Sequence, residues 1–164
     1  DSMFFYHNAA ARMLIDTSGA VTMPTHPAFL ATPSTGQADI AEDSEVTVVF
    51  GTEVFDQGAD FASNTFTAPV TGRYQLNMIL RLDNMDTAPE YLQVGIRTSN
   101  RYYRSIIDPG VLASDPVFWQ FTVSVLADMD ASDTAFVFVY LQAAGVVQPD
   151  IDTSDTYFSG YLAC

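Results

Sequence analysis

The chain has 164 residues, a net charge of −14, 48% apolar residues and 13% aromatic residues. One domain of that size and apolar content buries about 70% of its unfolded surface, which argues against an intrinsically disordered chain. A pI near 4.1 argues against nucleic acid and anionic lipid as partners, because such a surface repels phosphate.

The longest unbroken apolar run, Ala135 to Leu141, has seven residues, against the roughly 20 that a membrane helix needs, so no membrane insertion is expected. No basic start followed by an apolar stretch marks a secretory signal. Residue 1 is Asp, which leads us to expect a piece of a longer chain. The single cysteine, Cys164, excludes an internal disulfide. All six cations are arginine, and the acids are sixteen aspartates and four glutamates. A saline habitat fits that balance, and the acidic surface favours solubility.

In chain order, residues 1–26 have their own texture. Ala9 to Val21 reads as a short strand, a turn at Thr17-Ser18-Gly19 and a second short strand. Met23-Pro24-Thr25-His26-Pro27 reads as a linker, since two prolines within four residues prevent a helix or a central strand. We therefore place a neck at 1–26 and a head domain at 27–164. The neck has too few apolar residues for its own core and is expected to order against partner chains.

Period-two alternation runs through the head. It predicts strands at Val46–Phe50, Thr65–Ala68, Arg73–Leu82, Tyr91–Thr98, Phe118–Leu126, Thr134–Leu141 and Thr156–Ala163. Turn residues separate them, as in Asp83-Asn84, Asp108-Pro109-Gly110 and Gln148-Pro149-Asp150. Such spacing predicts an all-β sandwich, jelly roll or barrel.

Strand faces say what is covered. Tyr74, Leu76, Met78, Leu80 and Leu82 share one face, opposite Gln75, Asn77, Ile79 and Arg81, so one side is core and the other is wet or meets a polar partner. In Thr134–Leu141 both faces are apolar, with Phe136, Phe138 and Tyr140 opposite Val137 and Val139. One of these two faces is expected to close a subunit interface, because soluble monomers seldom expose large apolar patches. A central strand under a loop reads the same way.

Phe50, Asp56, Phe61, Phe66, Gly72 and Tyr74 stand in an order that resembles the globular-head family of complement component one q, a tumour-necrosis-factor-like jelly roll. Phe66-Thr67-Ala68-Pro69-Val70-Thr71-Gly72 is the most specific part, and Thr156 to Leu162 resembles the closing strand. The gap from Phe61 to Phe66 is two residues short of the family pattern, and Leu76 and Met78 stand where aromatics are usual. The resemblance covers residues 28–164. It implies a ten-stranded-type jelly roll, a homotrimer and no enzymatic activity. Arg12 to Val21 resembles a motif of bacteriophage tail-fibre shafts, and the acidic, lysine-free head with Thr98 to Tyr102 looks like knob domains of marine phage structural proteins.

Candidate chemistry is sparse. His7 and His26 lie in the neck, and there is no Gly-x-Ser-x-Gly elbow or Gly-rich phosphate loop. No constellation points to an enzyme. Asp128-x-Asp130-x-x-Asp133 and Asp150-x-Asp152-x-x-Asp155 share a spacing and bracket one strand, so they are expected at opposite ends of the jelly roll. Such loops can supply oxygens for Ca²⁺ or stand as solvated acidic turns, and the turn reading is preferred because Ca²⁺ takes 6–8 ligands. Of the two, Asp150, Asp152 and Asp155 are the better calcium candidates, since the family resemblance implies calcium near a trimer apex. No cofactor is required.

Arg97, Asn100, Arg101, Tyr102, Tyr103 and Arg104 form a basic-aromatic cluster. Aromatic faces beside arginine suit a sugar or an acidic glycan, and Arg101, Tyr102 and Tyr103 are the expected contacts. Arginines that neutralise neighbouring acids, within the chain or across a subunit interface, are the preferred reading of the cluster, since arginine is the usual interface cation. The expected function is a trimeric, non-enzymatic knob on a virion fibre or spike that attaches to a host-surface glycan or protein. A secreted or cell-surface lectin-like or signalling head, or a purely structural virion cap, are the alternatives.

Overall fold

The computed structural model describes residues 1–142 and 147–164. Its strands pair antiparallel throughout and form three sheets. The neck sheet joins β1 (Met3–His7), β2 (Ala10–Ile15) and β3 (Val21–Thr22) in that order. The head strands are β4 (Ala28–Thr32), β5 (Glu45–Thr47), β6 (Thr52–Gln57), β7 (Phe61–Ala62), β8 (Thr65–Thr67), β9 (Gly72–Asp83), β10 (Tyr91–Thr98), β11 (Tyr102–Ile107), β12 (Phe118–Met129), β13 (Thr134–Gln142), β14 (Asp150–Ile151) and β15 (Tyr157–Leu162). A front sheet runs β11-β10-β13-β8-β7, with β5 also on β13. A back sheet runs β12-β9-β15-β4-β6, with β14 also on β9. Among the described residues, no helix is long and apolar enough to cross a membrane.

The two head sheets face each other because alternation makes one side of each apolar. From β9, Tyr74, Leu76, Met78, Leu80 and Leu82 point inward and are fully buried. Leu92, Val94 and Ile96 of β10, and Ala135, Val137, Val139 and Leu141 of β13, meet them from the front. β9 is held on one side by β12, from Phe118↔Asp83 to Met129↔Gly72, and on the other by β15.

The motif read from sequence closes one end of this core. Phe29 stacks on Phe61 and Phe66, with ring centroids 4.9 and 4.8 Å away, and meets Phe158 edge-on at 4.9 Å. Phe50 packs beside Phe61 and Phe158. Asp56 accepts the backbone N–H groups of Asp60 and Phe61, which fixes the turn that carries Phe61. The Tyr74 hydroxyl, buried at the core edge, donates to the Val70 carbonyl at 2.7 Å. Gly160 makes room for the cluster: a Cβ there would lie 2.8 Å from the Phe29 ring and 2.7 Å from Leu76.

All seven strands expected from the pattern are present, with shifted ends. The Val46–Phe50 strand ends early, at Glu45–Thr47: Val48 still donates to the Val137 carbonyl, but the Val49 and Phe50 N–H groups turn to Gln37 Oε1 and Asn64 Oδ1. The shared spacing of the two aspartate loops does place them at opposite ends of β9, opposite Arg73 and opposite Asp83.

Of the strands that the pattern does not show, β4 is interior, between β15 and β6, while β6, β7 and β11 sit at sheet edges. β6 and β11 are outer strands with only one ladder partner, so their solvent side needs no apolar pattern. β7 and β8 are joined by a two-residue turn in which Ser63 and Asn64 both have positive φ. That is the primed geometry a hairpin favours, without the Asn-Gly pair that announces it in sequence. The neck turn and strands at 10–22 follow the expectation, and β1 adds a strand through the Asn8-Ala9 turn, also with positive φ at both residues.

Phe29→Ala should destabilise the head by about 3–5 kcal/mol, the cost of a large ring leaving a closed core. Denaturant unfolding measures it, and a loss under about 1 kcal/mol would contradict the packing described.

Candidate functional site

The outer face of the front sheet carries the side chains that β13 cannot bury. With Val137 and Val139 pointing into the core, Phe136, Phe138 and Tyr140 must point out. Ladder register then places Arg97 of β10 between Phe136 and Tyr102, and Gln93 beside Tyr140. Gly95 lies between Phe138 and Arg104. Without a side chain there, the middle of the sheet has a floor on which neighbouring groups converge.

A concavity of about 360 Å³ results, lined by Glu45, Tyr91, Gln93, Arg97, Tyr102, Arg104, Phe138 and Tyr140. Tyr102 stands edge-on over Phe138 at 5.5 Å. Two guanidinium groups lie against the Tyr102 ring, Arg97 at 4.8 Å and Arg104 at 5.6 Å from its centroid, as the negative face of an aromatic ring favours. Arg97 pairs with Glu45 at 2.6 Å, which raises the Arg97 pKa and keeps it charged. Arg104 donates to Gln93 Oε1 at 2.8 Å and, among the described residues, pairs with no carboxylate. Tyr91 and Tyr140 stack at 6.0 Å, and both hydroxyls donate to Gln142 Oε1. Burial pushes the Tyr140 hydroxyl pKa up, with Tyr91 and Asp43 adding to the shift.

The expected contacts divide. Tyr102 is in the concavity and 46% exposed. Arg101 is not: its Nε lies 3.1 Å from Asp128 Oδ1 and its Nη2 bonds the other carboxylate oxygen, a bidentate pair. Asn100 Nδ2 adds bonds to the Asp128 carbonyl and to Asp133 Oδ2. Arg101 and Asn100 thus clamp the 98–101 turn on the 128–133 loop, which is their structural task. Tyr103 points the other way, half-buried against the core. Arg97 and Arg104 replace them, with Tyr91, Gln93 and Glu45 that the sequence reading did not single out. The signal was the hairpin: a turn at 98–101 puts residues 97, 102 and 104 on one face.

The expected interface strand has contacts within the chain on both faces. Val137 and Val139 are inside the protomer core, filled by β9 from the back sheet. Phe138, 1% exposed, is already covered by Tyr102. Phe136 lies under Arg97, and Tyr140 packs on Tyr91. Both faces of this strand find cover within one chain, so its apolar alternation does not by itself require a subunit interface.

Asp150, Asp152 and Asp155 do not converge on a cage. Asp150 accepts the Asp39 N–H and the Asn84 amide. Asp152 accepts the Ser154 N–H in its own turn. Arg81 stands among the rest, bidentate on Asp83, 4.0 Å from Asp152 and 3.8 Å from Asp155. A guanidinium supplies the positive charge there. No group of three or more His, Cys, Asp or Glu among the described residues is arranged to hold a metal ion. His26 bonds the Leu162 carbonyl at 2.5 Å and ties the linker to the closing strand.

No protein-family model and no curated protein matches the sequence. Solved structures do. The globular domain of zebrafish complement 1qA superposes with a TM-score of 0.60 at 16% identity, covering 85% of this chain and 98% of that one. Murine APRIL superposes with a TM-score of 0.59 at 12% identity, over 84% and 98%. At those identities the likeness is one of fold: the head is a sandwich of the complement-head and tumour-necrosis-factor type.

Asp128 is the residue whose titration reports the Arg101 clamp. The hydrogen bond from Arg101 lowers its pKa first, with a backbone bond helping. Because the folded value lies below the unfolded one of about 3.9, the pairing stabilises the fold above that pH and is lost as pH falls through the lowered value. Side-chain carboxyl NMR should find the Asp128 midpoint below the ordinary aspartate range, and Arg101→Gln should return it toward about 4. An equal midpoint in both proteins would contradict the clamp.

Proposed function

We propose that this chain is the non-enzymatic head of a trimeric fibre or spike on a virion surface, joined to its shaft by the neck and binding a host-surface glycan or protein through the front-sheet concavity. The observation that carries the reading is the neck. Met3, Phe4, Phe5 and Tyr6 alternate across β1, and all four are exposed, from 47% to 63%. A sheet that is apolar and open on both faces cannot be covered by one packing surface, whereas copies of the same neck around an axis cover both.

Charge supports the same geometry. Residues 1–26 hold two acids and one arginine, while residues 27–164 hold the other eighteen acids and five arginines. The neck therefore carries −1 and the head −13, so copies repel least where the apolar strands are. In the head, exposed apolar groups gather on the back sheet rather than on β13. Leu126 and Tyr161 flank Gln75 across neighbouring strands, and Phe118 lies at the far end of β12. With the back sheet inward, the front-sheet concavity faces outward. The resemblance of Arg12 to Val21 to tail-fibre shafts supports the virion setting. The likeness to complement 1qA and APRIL supports the second reading, a secreted or cell-surface head.

The experiment is binding of labelled protein to candidate host cells, with unlabelled protein as competitor, on a sample sized by light scattering. The expected result is a particle of about three times 17.9 kDa that binds saturably, since three weak sites on one axis gain through avidity. A stable monomer at micromolar concentration would overturn the assembly. A trimer that binds no permissive host would leave a structural cap.

A further inference from the structure

We propose that the front-sheet concavity binds a saccharide bearing a carboxylate, with the acid on Arg104 and the sugar ring against the tyrosine faces. The role of that ligand in attachment rests on the reading above; its chemistry rests on the concavity itself.

Charge comes first. The charged lining groups are Glu45, Arg97 and Arg104, which sum to +1 on a chain of −14, with Asp43 acting on Tyr140 from the edge away from Arg104. A concavity of similar size beside the neck balances Arg12 against Asp60, whereas two others are acidic. One is lined by Asp39, Asp86, Asp115 and Asp150, another by Asp83, Asp150 and Asp152. A single carboxylate therefore finds favourable charge at the front-sheet concavity. A polyphosphate would also meet the long-range repulsion of the whole surface.

Arg104 comes second. Arg81, Arg97 and Arg101 each hold a carboxylate. Among the described residues none reaches Arg104, although the chain has twenty acids. The Arg104 guanidinium is nonetheless held in place, by Gln93 Oε1 at 2.8 Å and by the Tyr102 ring at 5.6 Å. A positioned arginine with donors to spare matches the planar, bidentate geometry of a carboxylate. Because its side chain is already oriented, less ordering is lost on binding.

The aromatic groups are the third observation. Tyr102 is half exposed, and the stacked Tyr91–Tyr140 pair turns both hydroxyls to Gln142. Tyrosines offer an apolar face for the C–H side of a pyranose and a polar edge for its hydroxyls. The volume, about 360 Å³, falls in the lower part of the range for small-ligand sites, roughly 300–1,000 Å³. A neutral sugar would use the rings and leave Arg104 unpaired, and an acidic peptide would use Arg104 and leave the ring faces poorly covered.

The test uses the full chain and three probes of equal length: a uronic acid tetrasaccharide, the matching neutral hexose tetrasaccharide, and a tetrapeptide with one glutamate. Calorimetry or ligand-observed NMR reads the affinity. The uronate should bind, and the neutral sugar and the peptide should each bind about ten-fold or more weaker, the worth of a charged hydrogen-bonded pair. Arg104→Gln and Tyr102→Ala should each weaken uronate binding about ten-fold, with melting temperature held, while Arg12→Gln in the neck changes nothing. Equal affinity for the neutral sugar, equal affinity for the peptide, an unaffected Arg104→Gln, or no uronate binding at about 10 mM would each overturn the proposal. Saturable host binding that the uronate does not compete for would remove this ligand and leave the attachment reading. Uronate binding by a protein that binds no host would remove attachment and leave the site.

Discussion

The two-residue period of β13 is the constraint on which the rest of the molecule turns. Val137 and Val139 go inward because β9 presents Leu76, Met78 and Leu80 across the sandwich. Once they do, Phe136, Phe138 and Tyr140 have no choice but the outer face, since a slip of one residue would exchange the two sets. The outer face must then be made tolerable to water. Tyr102 covers Phe138, Arg97 covers Phe136, and Tyr91 covers Tyr140. These covers are amphipathic, apolar toward the sheet and polar toward solvent. The concavity is thus a by-product of core packing that happens to bring aromatic rings, amides and guanidinium groups together.

The charge of the molecule is organised around the same frame. Among the described residues, three of the six arginines hold nearby carboxylates: Arg101 fixes the 98–101 turn through Asp128, Arg97 the edge at β5 through Glu45, and Arg81 reaches from Asp83 to Asp152 and Asp155 of the 150–155 loop. Exposed pairs of this kind add little stability one by one. Their use is positional, since they set where a turn lies and which side chains remain open. What is left is uneven: an acidic head, a nearly neutral neck and a small positive concavity. Those three regions correspond to solubility, assembly and recognition in the proposed account.

The fold was legible because it rests on local periodicity. The stripe Tyr74 to Leu82 and the motif from Phe50 to Tyr74 both name residues that meet in the core, Phe61, Phe66 and Tyr74 among them. Edge strands such as β6 and β11 were not legible, because a strand with one ladder partner and one wet side needs no pattern. The site was half legible. Its residue types were visible as a basic-aromatic run, but a run of consecutive residues points alternately to two faces. Tyr102 and Arg104 face out, Tyr103 faces in, and Arg101 belongs to a turn that the 128–133 loop holds. The interface expectation turns on a related point. Two apolar faces mean two covers, and sequence does not tell whether the second cover comes from the same chain.

Hydroxyl-radical footprinting of the assembled protein in solution tests the central claim most directly, because it reads side-chain exposure residue by residue. In the single chain Met3, Phe5, Leu126 and Tyr161 are all about half exposed, as is Tyr102. The account predicts that the neck and back-sheet residues are protected in the assembly while Tyr102 and Tyr140 stay reactive. Protection of Tyr102 and Tyr140 with Met3, Phe5 and Tyr161 left reactive would place the front sheet at the interface and contradict it.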